Sequence, residues 1–462
     1  MFGTLIEVNM KTIIALLGCL ASLSTALSQQ SVEMLGRIHF PSLAFGSDTT
    51  GGSDCWGYTA PDATEYALMG VNAGIAVVKA STMEVITVVP GPTTGDFPYK
   101  HRDIKTYRNY AYAVAEMTGT NQGMMIMDMR YLPDSVHYVR SFFAGTNIRS
   151  HNFSIDTASA HAYICRQNYS GFTIVSLADP ENPVEVGSVT TTEIHDVFGR
   201  NDTVWVAEGN RHTFSMYDVS NKTSPVLILR HTIPNGGYVH NIWPTDDGRY
   251  AITTEETALK SVKIWDVSNP ANVTLVGEYL GPNGLAHNVH VKGNELYISH
   301  YESGITVVDI SNPANPVETA RFDTFPRGES ANFRGCWGAF PFTDNGYFYT
   351  SDIEGYLTVL RFMPTGVSSS ASEKPESFSL EQNYPNPFNP STNIRFHLTE
   401  PGYVSLRVYD LLGREIETVV DEALAAGTYL RTFNGDRLPS GLLFMRLESN
   451  GKKQTRLMTL LK

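Results

Sequence analysis

Cysteine is scarce, long apolar runs are almost absent, and positive charge is outnumbered. The 462 residues hold 4 cysteines, and 34 Lys and Arg stand against 47 Asp and Glu, a formal net charge of −13. Nucleic acids and anionic membranes select for clustered Lys and Arg. No such cluster occurs here, which argues against both partners and leaves small molecules, metals, glycans and proteins. Beyond one N-terminal stretch, no segment is long and apolar enough to span a bilayer as a helix. The usual enzyme signatures are also missing: there is no Gly-x-Ser-x-Gly, no His-Glu-x-x-His, and no Gly-rich phosphate loop leading into a helix. Any chemistry must be assembled from residues far apart in sequence.

Met10-Lys11, the apolar run Thr12 to Leu23 and the small-residue site Ala26-Leu27-Ser28 read as a signal peptide over residues 1–28, cut before Gln29. Met1 to Asn9 carries Glu7 and no basic residue, so Met10 is a candidate true start. Export through the inner membrane would leave Cys55, Cys165 and Cys336 in an oxidising compartment.

A short phrase recurs seven times at a period of about 47 residues, the spacing of propeller blades. Its clearest copies are Gly304-Ile-Thr-Val-Val-Asp-Ile-Ser-Asn-Pro313, Lys263-Ile-Trp-Asp-Val-Ser-Asn-Pro270 and Gly171-Phe-Thr-Ile-Val-Ser-Leu-Ala-Asp-Pro180. One full unit gives four strand-like segments, from His287 to Val291, Glu295 to Ser299, Ile305 to Asp309 and Val317 to Arg321, separated by turn signals. Four antiparallel strands per unit predict an all-β chain with a seven-bladed β-propeller over 29–362. The last unit lacks a fourth strand, and the segment from Val32 to His39 resembles the fourth strands elsewhere, so the N-terminal strand is expected to close the last blade.

The first strand of each unit opens on Cys55-Trp-Gly, His101-Arg-Asp, His151-Asn-Phe, His195-Asp-Val, His240-Asn-Ile, His287-Asn-Val and Cys336-Trp-Gly. The two Cys-Trp-Gly copies fall on blades adjacent across the closure, which predicts a Cys55–Cys336 disulfide; the competing reading makes both thiols metal ligands. Cys165 reads as a buried core thiol.

These cores, the His-Asn-Val openings and the paired Cys-Trp-Gly units resemble the LVIVD-repeat propellers of the choice-of-anchor B family of exported bacterial proteins. That resemblance implies a fold and a location, and no activity. A second set of motifs runs from Phe378-Ser-Leu-Glu-Gln-Asn through Tyr384, Pro385, Asn386, Pro387, Phe388, Asn389 and Pro390 to a turn at Gly413, Ser440-Gly-Leu-Leu-Phe-Met-Arg-Leu447 and an ending at Lys462. It resembles the type A sorting domain of the bacterial type IX secretion system over 378–462. The resemblance implies handling by that machinery and a final location at the cell surface or outside the cell. The same stretch alternates apolar and polar residues between Gly turns, which predicts a small Ig-like β-sandwich. Residues 363–377 read as a Ser-, Pro- and Glu-rich linker.

If the first strands line the channel, His151, His195, His240 and His287 share one face with acids at the ends of the second strands: Glu208, Glu255, Glu302 and Asp352, and also Glu116, Glu256 and Glu354. Imidazoles and carboxylates on one funnel suit a divalent metal such as Zn²⁺ or Ca²⁺, and with it a metal-assisted hydrolase. The plainer reading makes the His-Asn pairs structural, satisfying backbone groups between blades, and the acids solvated loop charges. On that reading the protein is a non-catalytic module whose exposed face binds a glycan, a protein or another ligand.

Overall fold

The computed structural model describes residues 31–461 apart from 46–47, 96–99, 146, 192, 329, 364–377, 381, 384–385 and 425. The expected signal peptide, nearly all of the expected linker, Tyr384, Pro385 and Lys462 lie outside the described residues. Every helix or strand assigned among the described residues is a β-strand, and two compact units meet between Met363 and Pro364.

Among the described residues the first unit holds seven four-stranded antiparallel sheets. Their innermost strands, in chain order, are Gly52–Thr59, Arg102–Tyr107, Phe153–Asp156, Asp196–Arg200, Val239–Pro244, Val289–Lys292 and Cys336–Phe340. Each contacts the next, and the last contacts the first, so the sheets close a ring around a channel. This is a β-propeller. Second strands such as Glu65–Val71 and Tyr110–Ala115 are buried at every position, because neighbouring sheets cover both faces. The core therefore lies between sheets: Ile252, Val262 and Ile264 of the fifth pack against Val289, Leu296 and Ile298 of the sixth.

The recurrent phrase follows from local chemistry. Asp218, Asp266 and Asp309 each accept the backbone N–H two residues on, at 2.8, 3.0 and 2.7 Å, and Asn269 and Asn312 repeat the device at 3.1 and 3.3 Å. These Asx turns end the third strand and carry the chain around to the fourth. The third-to-fourth register then slips once in every sheet, for example between Val307 and Val308. Such bulges add twist and blunt the outer edge. Gly304 opens its strand at φ 74°, where a Cβ would sit 2.1 Å from the Phe322 carbonyl oxygen.

In the seventh sheet the outermost strand is Val32–His39, paired with Tyr356–Phe362 in the register Val32 to Phe362 through His39 to Tyr356. Arg37 fastens it, donating to Asp352 and to the Thr324 carbonyl, both at 2.7 Å.

The expected Cys55–Cys336 disulfide is absent: Cys55, Cys165 and Cys336 are free and buried. The physical reason is rotational symmetry. Cys55 packs into the core between the seventh and first sheets, with Phe340 and Tyr349, and Cys336 into the core between the sixth and seventh, with Tyr297 and Ile305, so both turn the same way around the ring and do not face each other. Burial pushes both thiols well above their ordinary range, which keeps them unreactive. Thiol titration of the denatured mature propeller under non-reducing conditions is expected to count three free groups, and reductant is expected to leave its melting temperature unchanged.

The second unit stacks a three-stranded sheet, Ser379–Leu380, Ser391–Leu398 and Gly427–Asn434, on a four-stranded one, Glu415–Leu424, Gly402–Tyr409, Gly441–Ser449 and Lys452–Leu460. Their facing residues share one core that includes Phe388, Ile394, Phe396, Leu406 and Met445. Asn386 accepts the Thr459 N–H at 2.7 Å, and Phe388 is 2% exposed, so the motif pins the final strand from both sides. Gly413 takes φ 79° in the turn closed by Asp410.

Candidate functional site

Aromatic rings follow one another around the start of the channel, the first pair stacked and the rest tilted. His101 stacks on His151 at 4.1 Å between centroids, followed by His195 at 4.2, His240 at 4.1, His287 at 4.2 and Trp337 at 4.3 Å, with His101 5.6 Å from Trp337. The four sequence-predicted histidines do come together, joined by His101 and Trp337. His240 and Trp337 each sit on a register shift of the inner strand, which lets two consecutive residues face inward.

The residues following the histidines stitch the sheets. Asn152 accepts the Val197 N–H at 3.0 Å, Asn241 accepts that of Val289 at 3.2 Å and donates to Asp196 at 3.0 Å, and Asp103 accepts that of Phe153 at 2.8 Å. The Asn or Asp of each pair is therefore structural, and His195 and His287 add to the stitching through Nδ1, which meets the His240 and Trp337 carbonyls of the next sheet at 3.0 and 2.6 Å.

The carboxylates that meet the ring are Glu116, Asp196 and Glu256. Glu116 accepts from His151 at 2.9 Å and from the Tyr169 hydroxyl at 2.7 Å. Burial opposes both charges, yet the pairing wins: Glu116 is held far below the carboxylate range, and Glu116 lifts His151 to about 9. Burial also works against Asp196, but His195 at 3.1 Å keeps it ionised. Burial, reinforced by neighbouring imidazoles, pushes His101 and His240 well down and lowers His287 to about 3, so these three are neutral.

A folded pKa above the unfolded 6.5 means that the His151 contribution is full below pH 6.5 and fades as pH rises through about 9. Nuclear magnetic resonance is expected to place the His151 titration near 9. Glu116→Gln is expected to bring it below the ordinary value and to remove the fall in melting temperature across that window.

The other predicted acids are engaged elsewhere: Glu354 accepts the Gly335 N–H at 3.0 Å, and Glu208, Glu255, Glu302 and Asp352 are each closed by a cation. Glu208 is held by Arg230 at 2.8 Å with Thr213 and Ser215, and Glu255 by Lys263 and the Gly237 N–H. Glu302 takes Arg334 at 2.7 Å, and Asp352 takes Arg37 at 2.7 Å. The shared funnel of the sequence reading is thus corrected in its acids, because strand alternation sends these side chains between sheets.

Further along the inner strands the channel opens into a cavity of ≈ 400 Å³. Trp56, Phe198, Trp243, His290, Phe340 and Phe342 line it, with Ser154, Asn241 and Asn288 among the polar groups. Phe198 lies 4.2 Å and His290 4.8 Å from Trp243, and Trp56 lies 4.9 Å from Phe340, between centroids. Trp56, Phe198, Trp243 and Phe342 are only half-buried, so they keep apolar surface open to the cavity. Lys105 sits 4.3 Å over the Trp56 ring, contacts Asp103 and lies 3.6 Å from Asp54. Burial raises the Asp54 carboxyl above the ordinary carboxylate range while Lys105 works to lower it, and Lys105 is paired with Asp103. Arg200 at the wall is paired with Asp246 at 2.8 Å. Volume and lining match a small-molecule site.

Sequence reasoning missed these aromatics because each reads as an ordinary strand residue. The signal was the alternation: Trp243 follows Asn241 by two, and His290 follows Asn288 by two, on one face of a strand.

Comparison with known families finds LVIVD repeats at residues 159–191, 204–232, 259–281 and 283–324. It also finds a secretion system C-terminal sorting domain at 382–460. The chain therefore carries LVIVD repeats and a type IX sorting domain, which implies export and attachment to, or release at, the cell surface. No curated protein matches it. Among solved structures, a chain from "Crystal Structure of Mitotic Checkpoint Complex" is similar at TM-score 0.53 and 11% identity over 71% of this chain and 91% of that one, a likeness of fold alone. Among the described residues no helix is long and apolar enough to cross a membrane.

Proposed function

We propose that this exported propeller is a non-catalytic binding module that takes an uncharged saccharide into the aromatic cavity of its channel, carried to the cell surface by its sorting domain. The observation that carries this reading is the ≈ 400 Å³ cavity, with half-buried aromatic faces beside amide and hydroxyl side chains and with both of its cations, Lys105 and Arg200, paired to carboxylates. Sugar C–H faces stack on aromatic rings while their hydroxyls bond to Asn and Ser, and an unsatisfied polar wall rejects ligands without those hydroxyls. A metal-assisted hydrolase built on the funnel acids is less well supported, since Glu208, Glu255, Glu302 and Asp352 are each spent on a cation.

Calorimetry with cellobiose, maltose, lactose and galacturonate is the test. At least one neutral disaccharide is expected to bind, and galacturonate to bind more weakly. Trp243→Ala is expected to cost about 2 kcal/mol, roughly thirtyfold in affinity, as buried tryptophans at contact centres do. Phe342→Ala is the companion variant should the first be unstable. Absence of binding by every neutral sugar, or unchanged affinity in both folded variants, defeats the reading.

A further inference from the structure

We propose that His240, His287 and Glu256 form a site for one borderline transition-metal dication, of which Zn²⁺ is the type, tying the fifth sheet to the sixth. Glu256 Oε1 lies 3.9 Å from His240 Nε2 and 4.0 Å from His287 Nε2. One ligand atom from each of the three residues lies within 4.8 Å of the others. Bonds of 2.0–2.2 Å set the ligand atoms of a tetrahedral ion roughly 3.3–3.5 Å apart, so each Glu256 contact closes by about half an ångström and the two imidazole nitrogens, within 4.8 Å, by no more than about 1.5 Å, within the reach of side-chain rotation.

The hydrogen bonding around the site points to a ligand. His287 donates its Nδ1–H to the Trp337 carbonyl at 2.6 Å, which fixes the tautomer and directs the Nε2 lone pair toward Glu256. That Nε2 is buried without a hydrogen-bond partner, and the residue is 1% exposed. An outer backbone acceptor on one ring nitrogen, with the other left free, is how metal-ligating histidines are held. Glu256 is steadied by the Tyr301 hydroxyl, yet among the described residues its ion-pair neighbours are these two imidazoles, with no Lys or Arg. Glu208, Glu255 and Glu302 all have one. A cation is the missing element at Glu256.

The other two candidate groups are less suited. In the group of His101, Glu116 and His151, the last two are already joined by a direct 2.9 Å hydrogen bond, and Glu116 is filled further by Tyr169. His151, His195 and His240 bring no carboxylate, and His195 spends its Nδ1 on the His240 carbonyl and Asp196. Two nitrogens and one carboxylate oxygen select Zn²⁺ and its first-row neighbours, whereas Ca²⁺ and Mg²⁺ demand more oxygens. The Glu256 side chain is 18% exposed, so water can reach the remaining coordination position. The site lies at the start of the channel, apart from the aromatic cavity, and does not depend on a sugar binding there.

The test is calorimetric titration of the chelator-stripped chain with Zn²⁺, with Co²⁺ absorption reporting nitrogen and oxygen ligation. One ion per chain is expected. Tyr301→Phe is expected to weaken binding by roughly 10–100-fold, and the near-isosteric Glu256→Gln by more than that. His151→Gln is expected to change it little. Failure of the folded parent chain to saturate with Zn²⁺ overturns the proposal, independently of any variant. So does unchanged affinity in Glu256→Gln, a loss in His151→Gln equal to that in Glu256→Gln, or a preference for Ca²⁺ or Mg²⁺.

Discussion

Deleting residues 32–40 is expected to unfold the whole propeller and not merely trim it. The strand Val32–His39 is the outermost strand of the seventh sheet, and its loss exposes the backbone edge of Tyr356–Phe362. It also removes Arg37 from Asp352, whose side chain is 1% exposed. Leaving a buried charge unpaired costs about 3–5 kcal/mol by itself, a large share of the roughly 5–15 kcal/mol that holds a domain together. Arg37→Ala isolates that part. Burial lifts Asp352 to about 7 even beside Arg37, so at pH 5 the carboxyl is protonated with or without the guanidinium, and the variant is expected to lose less stability there than at pH 8. Chemical denaturation of the parent, the deletion and the point variant measures all three. A deletion that melts like the parent, or an Arg37→Ala deficit that is larger at pH 5, contradicts the closure.

Removing residues 364–462 is expected to abolish appearance at the cell surface while leaving the propeller folded. The second unit has a core of its own, running from Leu380 to Leu460, and the division falls at Met363, after the last strand of the ring. Fractionation of cells is expected to find the shortened chain in the periplasm, with the melting temperature of the propeller unchanged. Normal surface delivery of the truncated chain would remove the sorting role.

The blades were legible in the sequence because their chemistry is local. Asp309, Ser311 and Asn312 turn the chain with bonds two residues long, and Gly304 is required where a Cβ would strike a carbonyl. The histidine ring was legible too, since one residue per repeat at a fixed place must converge on the axis. The acids were not. Glu255 and Glu256 are adjacent and equally acidic in sequence, but a strand turns successive side chains to opposite faces. One therefore meets Lys263 between strands and the other meets the imidazoles. The cysteine pairing failed for a related reason: positions equivalent by rotation point the same way around a ring, so matching motifs on adjacent blades do not meet. The cavity was hidden because Trp56, Phe198 and Trp243 have the composition of any strand, and only their place in the closed ring leaves their faces open.

The most direct measurement of the central claim is hydrogen exchange on the 462-residue chain with and without a saturating neutral disaccharide. Slower exchange is expected in the inner strands around the cavity, chiefly Gly52–Thr59, Asp196–Arg200, Val239–Pro244 and Cys336–Phe340, with the outer strands and the C-terminal unit unchanged. Protection confined to the outer strands or loops, or none at a concentration where the sugar is bound, would show that the channel is not where this propeller takes its ligand.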